Sequence, residues 1–294
     1  MEYKISIILQ FFVKKQYLNK IIKKLLNLNI SNYNIIFWQD SLINSKYYNE
    51  GSYLKKYNEC TNIIKDNLHL FKNAEFKQNT TNLGTCKTCE VSMNYAFTKS
   101  EYAILLEDDV IPSKNFLNFF EYFIDNNFLN FENKLLFLAS ESIFFDAKNN
   151  SPTPKFIELC NEYVNKNNLN KYYLTLNFVP SSCFCTSKKI WEKVGYIRGQ
   201  PNGDEDLCNY YKKNECKTIM PIVACCKDVG MLDTDGYSVT IHGVKGVKEI
   251  KNVYLTNNSG NKNYELFPYN VDALYYLSCV KISEDDTNLF STIN

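Results

Sequence analysis

Apolar and polar positions alternate along this chain in blocks that predict strands followed by helices. The segments Ile5–Leu9, Tyr33–Trp38 and Lys134–Ala139 are short and almost continuously apolar, as strands buried on both faces are. After the first of them, apolar residues recur at helical spacing, namely Leu18, Ile21, Ile22, Leu25 and Leu26. The repeated alternation predicts an α/β fold with a mixed, mainly parallel sheet flanked by helices.

The same pattern predicts further elements and a domain boundary. Helices are expected over Tyr53–Phe71, Cys86–Phe97, Ser187–Val194 and Gly203–Asn214, and strands over Ala74–Lys77, Tyr102–Leu106, Ser182–Cys185 and Thr218–Cys225. Ser113 is the expected N-cap of a helix with Phe116, Phe119, Phe120 and Phe123 on one face. The pattern weakens after Asn252, and Asn257–Lys262 is typical of a linker. We therefore expect one domain over residues 1–250 and a C-terminal appendage over 251–294.

Composition and charge exclude several classes of protein. Hydrophobic residues make up 45% of the 294 and charged residues 22%, which is typical of a globular protein. The net charge of +1 gives no support to nucleic acid as a partner. Basic residues around the first predicted helix suit peripheral contact with an anionic membrane, although a solvated helix face explains them too: Lys14, Lys15, Lys20, Lys23 and Lys24.

The chain shows no sign of a targeting segment or a disulfide framework. Its start lacks the pattern of a signal peptide, and no window approaches the roughly 20 apolar residues of a membrane-spanning helix. The 11 cysteines include a lone Cys-x-x-Cys, Cys86 and Cys89, without a second pair at zinc spacing. We expect reduced thiols and a cytoplasmic location.

The motif with the most chemical information is a run of three acids, Glu107, Asp108 and Asp109, directly after the strand at Tyr102–Leu106. Three acids at the end of a buried strand repel one another, and a divalent cation with hard oxygen ligands removes that conflict. Strand ends of this kind are where open α/β sheets bind ligands. The alternative interpretation is a solvated acidic turn.

This motif and several others, taken in order, resemble those of the GT-A-fold nucleotide-sugar glycosyltransferases. The likeness is greatest to inverting enzymes of the N-acetylglucosaminyltransferase I type and related bacterial enzymes. It covers roughly residues 3 to 245 and rests on short motifs: Ile7–Leu18, Phe37–Ser41, Asn82–Gly84, Glu107–Asp109, Gly203–Leu207 and Ser238–Gly243. The opening turn departs from the family pattern, because it has Val13, Lys14 and Lys15 where Asn, Arg and Pro are usual.

The resemblance implies a nucleotide-sugar site and a metal site. Asp40 would accept a hydrogen bond from the nucleoside base, although it could instead only initiate a turn. The other residues of the donor site would be Lys14, Asn82, Gly84, Glu107 and Asp108. Asp109 would bind Mn2+ or Mg2+, together with His242 near the diphosphate, although a lone histidine is more often structural.

The resemblance also implies a catalytic base at the acidic start of a helix. Three candidates are adjacent, Asp204, Glu205 and Asp206, and Glu205 stands where the family has an aromatic residue. Spacing to Pro221 favours Asp204. Acids in the first turn of a helix also complement its dipole and cap its amides, and this is the alternative interpretation.

The function implied is a metal-dependent, inverting glycosyltransferase with a UDP-sugar as the favoured donor. The acceptor would be a hydroxyl of a glycan, a glycolipid or a protein. Two alternatives remain open at this point. One is a catalytically silent GT-A-like binding domain, because a fold does not establish an activity. The other is a glycosidase that uses the two groups of carboxylates as acid and base.

Overall fold

The computed structural model describes residues 2–140, 172–176, 179–221, 225–228 and 266–268. The chain divides into two units. The first is formed by Met1–Val110, Phe123–Ala139 and Asn177–Thr218, and the second by Ile111–Tyr122, Ser140–Leu176 and Ile219–Asn294. The boundary expected near residue 250 lies outside the described residues and stays a prediction.

Strands and helices alternate through the first half of the chain, as the hydrophobic pattern predicts. The strands are β1 (Tyr3–Phe11), β2 (Asn34–Gln39), β3 (Ala74–Gln78), β4 (Ser100–Glu107), β5 (Val110–Pro112), β6 (Leu135–Ala139), β7 (Tyr172–Leu176), β8 (Cys183–Ser187), β9 (Lys217–Pro221), β10 (Cys226–Asp228) and β11 (Leu266–Pro268). The helices are α1 (Lys15–Leu26), α2 (Gly51–Asn67), α3 (Gly84–Ala96), α4 (Phe116–Asp125), α5 (Lys188–Arg198) and α6 (Gly203–Asn214), and a 3-10 turn at Leu68–Leu70 follows α2.

The sheet of the first unit has the strand order β6-β8-β4-β1-β2-β3. β1 pairs in parallel with β2 and β4, and β2 pairs in parallel with β3, whereas β8 is antiparallel to β4 and β6. The expected α/β fold with a mixed, mainly parallel sheet is confirmed. Because β1, β2, β3 and β4 run in one direction, they all end on one side of the sheet, which we call the carboxyl end.

Burial explains why the predicted helix stripes form. Four residues of the α1 stripe are buried (Leu18, Ile21, Ile22 and Leu25), while Leu26 is partly exposed. In front of α4, the Ser113 side chain accepts a hydrogen bond from the Asn115 amide at 3.2 Å. Because α4 begins only at Phe116, Ser113 lies in the turn that leads into this helix and is not its N-cap.

α5 differs from its prediction in a way that matters for the site. Gly195 does not end this helix, which continues to Arg198. The Trp191 ring packs against Gly195 so closely that an added Cβ would lie 2.5 Å from it. The glycine is therefore a packing position, and the extra turn carries Arg198 back toward the carboxyl end of the sheet.

The second unit contains two short strand pairs. β5 pairs with β10, and β11 pairs antiparallel with β7. The strand predicted over Thr218–Cys225 ends earlier, since β9 stops at Pro221 and Cys225 precedes β10. Among the described residues, no helix has the length and apolarity to cross a membrane.

Candidate functional site

The two aspartates after β4 lie inside the protein. Asp108 is 7% exposed and Asp109 is 6% exposed. The Phe12 amide, just beyond the end of β1, donates a hydrogen bond of 3.0 Å to Asp108 Oδ2. This contact joins the ends of two neighbouring parallel strands. The alternative of a solvated acidic turn is therefore wrong for these two carboxylates.

Lys14 is the cationic partner of both aspartates. Its ammonium forms an ion pair with Asp109, and its Nζ lies 3.8 Å from Asp108 Oδ1. The lysine side chain is only 18% exposed. Burial alone would lower the pKa of Lys14, but the charges of Asp108 and Asp109 raise it overall, so the ammonium stays protonated. The residue expected to contact the nucleotide thus contacts the acidic motif in this structure.

Lys14, with a further contribution from Arg198 at Glu107, does not offset the burial of three neighbouring carboxylates. Burial raises the pKa of Glu107 well above its ordinary value, and the charge of Asp109 adds to this effect. Burial also raises the pKa of Asp108, to about 6, against the opposing effect of Lys14. The site therefore favours the arrival of further positive charge.

A buried oxygen without a partner lies at the same place. Gln10 pairs with Glu107 in the register of β1 and β4. Its side-chain nitrogen donates to the Thr85 carbonyl at 3.2 Å, while its Oε1 is buried and has no hydrogen-bond partner among the described residues. An unsatisfied buried acceptor is costly, so this atom suits a ligand that brings a donor or a cation.

The residues at the acidic motif fit a metal ion that arrives with a diphosphate. Within the described ranges, no group of three or more His, Cys, Asp or Glu side chains could hold a metal by itself. His242 lies outside the described residues. Mg2+ is usually held by one or two carboxylates while substrate phosphates and water complete its coordination. Asp109 could provide one such carboxylate, with Asp108 directly beside it.

Asp40 has a different environment from the acidic motif, because protein donors surround its carboxylate. Five hydrogen bonds of 2.8–3.0 Å reach it, from the amides of Ser41, Leu83 and Gly84 and from the side chains of Asn79 and Asn82. Gly84 has a φ of 74°, a backbone conformation that glycine permits. The carboxylate thereby fixes the turn that begins α3.

This hydrogen-bond network includes three of the residues predicted for the donor site, Asp40, Asn82 and Gly84. A carboxylate offers about four lone-pair positions, and the five donors use that capacity at Asp40. In this structure Asp40 positions the turn and holds Asn82 and Gly84 beside it. Contact of these residues with a nucleoside base or a sugar stays a prediction.

Arg198, which the sequence reasoning missed, is the buried cation beside the acidic helix start. Its side chain is 1% exposed and forms an ion pair with Asp204. Its Nη1 lies 3.6 Å from Cys86 Sγ and its Nη2 lies 3.5 Å from the Ser181 carbonyl oxygen. A signal was available, because Arg198 is the only arginine among the 33 basic residues of the sequence.

The start of α6 places three acids at the surface. Asp204, Glu205 and Asp206 form its first turn, and all three are exposed, with the Asp204 side chain 55% accessible. An added Cβ at Gly203 would lie 1.9 Å from the Arg198 carbonyl oxygen, so only glycine allows α6 to approach α5 this closely. Asp204 thus has a specific partner in Arg198 besides the helix dipole.

The comparisons with known proteins concern the fold. No protein-family model and no curated protein sequence matches this chain. Residues 1-349 of TarS from S. aureus resemble it with 11% identity and a TM-score of 0.49, over 99% of this chain and 78% of that one. The same TarS fragment in complex with UDP-GlcNAc matches with 16% identity and a TM-score of 0.34, over 47% and 34% of the two chains.

A mannosyltransferase from Pyrobaculum calidifontis, in complex with GDP-Man and Mn2+, matches with 9% identity and a TM-score of 0.45. That match covers 76% of this chain and 56% of that one. All three TM-scores lie below 0.5, so these likenesses do not by themselves establish a family for this chain. Identities and TM-scores this low carry no argument about the activity of this chain.

We expect Asp40→Asn to destabilise the protein by about 2–4 kcal/mol, because its amide group would face N–H donors and leave several of them unsatisfied. Urea unfolding measures this change. Asp66→Asn, on the exposed surface of α2, is the matched control and should change stability by less than about 0.5 kcal/mol. Equal effects of the two substitutions would contradict the anchoring role of Asp40.

The raised pKa of Asp108 predicts a pH-dependent stability. Above pH 6 the buried carboxylate is ionised at a cost, and this cost disappears as the pH falls through about 6 toward the unfolded value near 3.9. Without metal or nucleotide, Asp108→Asn should be more stable than the unmodified protein by about 1–2 kcal/mol at pH 7. This difference should shrink as the pH falls below 6 and vanish below about pH 4, the unfolded pKa, in urea unfolding measured from pH 7 to pH 3.5. A difference that does not change with pH would contradict the assignment.

Proposed function

We propose that this protein is a metal-dependent, inverting glycosyltransferase that moves a sugar from a nucleotide diphosphate donor to an acceptor hydroxyl. The observation that carries the proposal is the buried pair Asp108 and Asp109, joined by Lys14 at the carboxyl end of the parallel strands. Charged groups are buried at a strand end when they serve a ligand, and this is where open α/β sheets bind one.

The donor would bind with its diphosphate at the acidic motif. In this proposal Asp109 ligates Mn2+ or Mg2+, with His242 as a further ligand, and Asp108 and Glu107 face the ribose. When bound, the metal acts as a Lewis acid that stabilises the negative charge of the departing diphosphate. We favour a UDP-sugar as the donor because of the sequence resemblance.

The acceptor hydroxyl must lose a proton as it attacks the sugar. We assign Asp204 as the base that accepts this proton. Arg198 orients the Asp204 carboxylate through their ion pair. Its exposure leaves the carboxylate accessible to an acceptor, whereas the buried guanidinium holds it in place. A single base of this kind, acting opposite the leaving group, gives inversion at the anomeric carbon.

The proposed acceptor and cellular location rest on the sequence alone. We propose a glycan, a glycolipid or a protein as acceptor, and a cytoplasmic enzyme that contacts the membrane surface peripherally. The basic residues of α1 support this contact, because Lys23 is exposed and lies beside the partly exposed Lys20 and Lys24.

One observation favours a second candidate function, the catalytically silent binding domain. The ion pair with Lys14 already occupies the Asp109 carboxylate that would bind the metal. A chain that had lost catalysis could retain such a neutralised site and still bind a nucleotide. Nucleotide binding without metal dependence and without turnover would support this candidate over the enzyme.

We expect UDP to bind at least about tenfold more tightly when Mn2+ is present, since the cation joins the diphosphate to Asp109. Calorimetric titration with UDP, GDP and CMP, with and without Mn2+, measures the effect. Asp109→Asn should abolish the enhancement, whereas the surface control Asp66→Asn should retain it. If all three nucleotides fail to bind under every condition, the proposed function is wrong.

We expect Asp204→Asn to reduce turnover by roughly 10²–10⁴-fold, because the amide cannot accept the acceptor's proton. The donor dissociation constant should stay unchanged. UDP release from UDP-sugars, assayed with a panel of acceptors, measures turnover. Glu205→Gln and Asp206→Asn are the matched controls and should lose less than about tenfold. If either control loses more turnover than Asp204→Asn, the residue changed in that control is the base and the assignment to Asp204 is wrong.

A further inference from the structure

Lys14 is held at two points by the acidic motif. The side-chain ammonium pairs with Asp109, and its nitrogen lies 3.8 Å from Asp108 Oδ1. Lys14 immediately precedes α1, and its side chain is largely buried. The lysine is therefore a built-in part of the acidic motif, unlike the exposed Lys15 next to it, which pairs with Glu59.

We propose that Lys14 is the resident counter-ion of this site and that a divalent cation binds Asp109 only by displacing it. Metal and nucleotide would then bind together, and the metal alone would bind weakly. This inference rests on the proposed function, because it concerns the metal and the diphosphate of the donor. It adds a role for Lys14 that the resemblance to the family does not assign.

Electrostatics makes the two cations competitors. Lys14 Nζ contacts Asp109 Oδ2 and lies within 3.8 Å of Asp108 Oδ1, so it occupies the space between the carboxylates. A divalent ion bound to the same oxygens would lie within a few ångströms of the ammonium and be repelled by it. One of the two cations must leave Asp109.

Lys14 is the group that can move. Asp108 is held by the hydrogen bond from the Phe12 amide, and Asp109 follows it directly in the turn after β4. A lysine ammonium is carried by a flexible four-carbon chain, and the 18% exposure of this side chain leaves it a path toward solvent. Once displaced, it needs a new anionic partner.

A diphosphate supplies what the displacement requires. Its oxygens would complete the coordination of the metal, which Asp109 cannot do alone. Its negative charge also gives the displaced ammonium a partner near its original position. Metal binding is therefore favourable when the nucleotide is present and opposed by Lys14 when it is absent.

The test is a titration of Mn2+ alone, followed by the loss of the free-ion signal in electron paramagnetic resonance. We expect Lys14→Met to bind Mn2+ at least about tenfold more tightly than the unmodified protein, because the competing charge is gone. Lys14→Arg, which keeps the charge, should not gain affinity. Lys15→Met, which removes an exposed charge one position later, should leave the affinity within about twofold.

The outcomes separate this inference from the proposed function. The inference is supported if Lys14→Met binds Mn2+ more tightly than the unmodified protein while Lys14→Arg and Lys15→Met do not. If UDP and Mn2+ bind together but Lys14→Met has the Mn2+ affinity of the unmodified protein, the inference is wrong while the proposed function stands. If Mn2+ binds neither to the unmodified protein nor to Lys14→Met, with or without UDP, both the inference and the proposed function are overturned.

A second measurement needs no substitution in the protein under test, which matters if Lys14→Met does not fold. In protein labelled with 15N-lysine, the Lys14 ammonium resonance is identified by its absence from Lys14→Arg. We expect Mg2+ together with UDP to shift this resonance, whereas Mg2+ alone at the same concentration should leave it in place. A resonance that stays unchanged in the ternary mixture would overturn displacement.

Discussion

Carboxylates at the carboxyl end of a parallel sheet require partners that stabilise their charge, and the geometry of this site depends on how the chain provides them. Lys14, at the end of β1, pairs with Asp109 after β4. Arg198, at the end of α5, pairs with Asp204 at the start of α6. Both cations are largely buried, and each ion pair fixes the elements that it joins, while the Asp204 carboxylate itself is 55% exposed.

The buried carboxylate of Asp40 is stabilised without a cation. Amide groups surround its carboxylate, and the resulting hydrogen bonds determine where α3 begins. The three anionic groups therefore have three kinds of partner: an ammonium, a guanidinium and a set of backbone and side-chain amides. Only the first of these is a flexible side chain that reaches toward solvent, which is why we assign the exchangeable position to Lys14.

Local patterns in the sequence predicted much of this arrangement. Apolar runs predicted the parallel strands, and the run of three acids was placed correctly at the end of β4. These features depend on neighbouring residues, and for that reason a single sequence reveals them.

Long-range contacts account for what the sequence did not reveal. Lys14 and Asp109 are 95 residues apart, and Arg198 and Cys86 are 112 apart, so no local pattern pairs them. The sequence predicted that α5 would end at Val194, just before Gly195. The helix instead continues through Gly195, and this depends on how Trp191 packs against the glycine. The saturation of Asp40 likewise depends on a turn about 40 residues later, whose amides point at it only in the folded chain.

The most direct measurement is the position of the metal in crystals grown with UDP and Mn2+. We predict an anomalous manganese peak bonded to the Asp109 carboxylate and to diphosphate oxygens, with the Lys14 ammonium moved off Asp109 and onto a phosphate. Nucleotide bound elsewhere, or bound here while Lys14 still pairs with Asp109 and no manganese is present, would contradict this account.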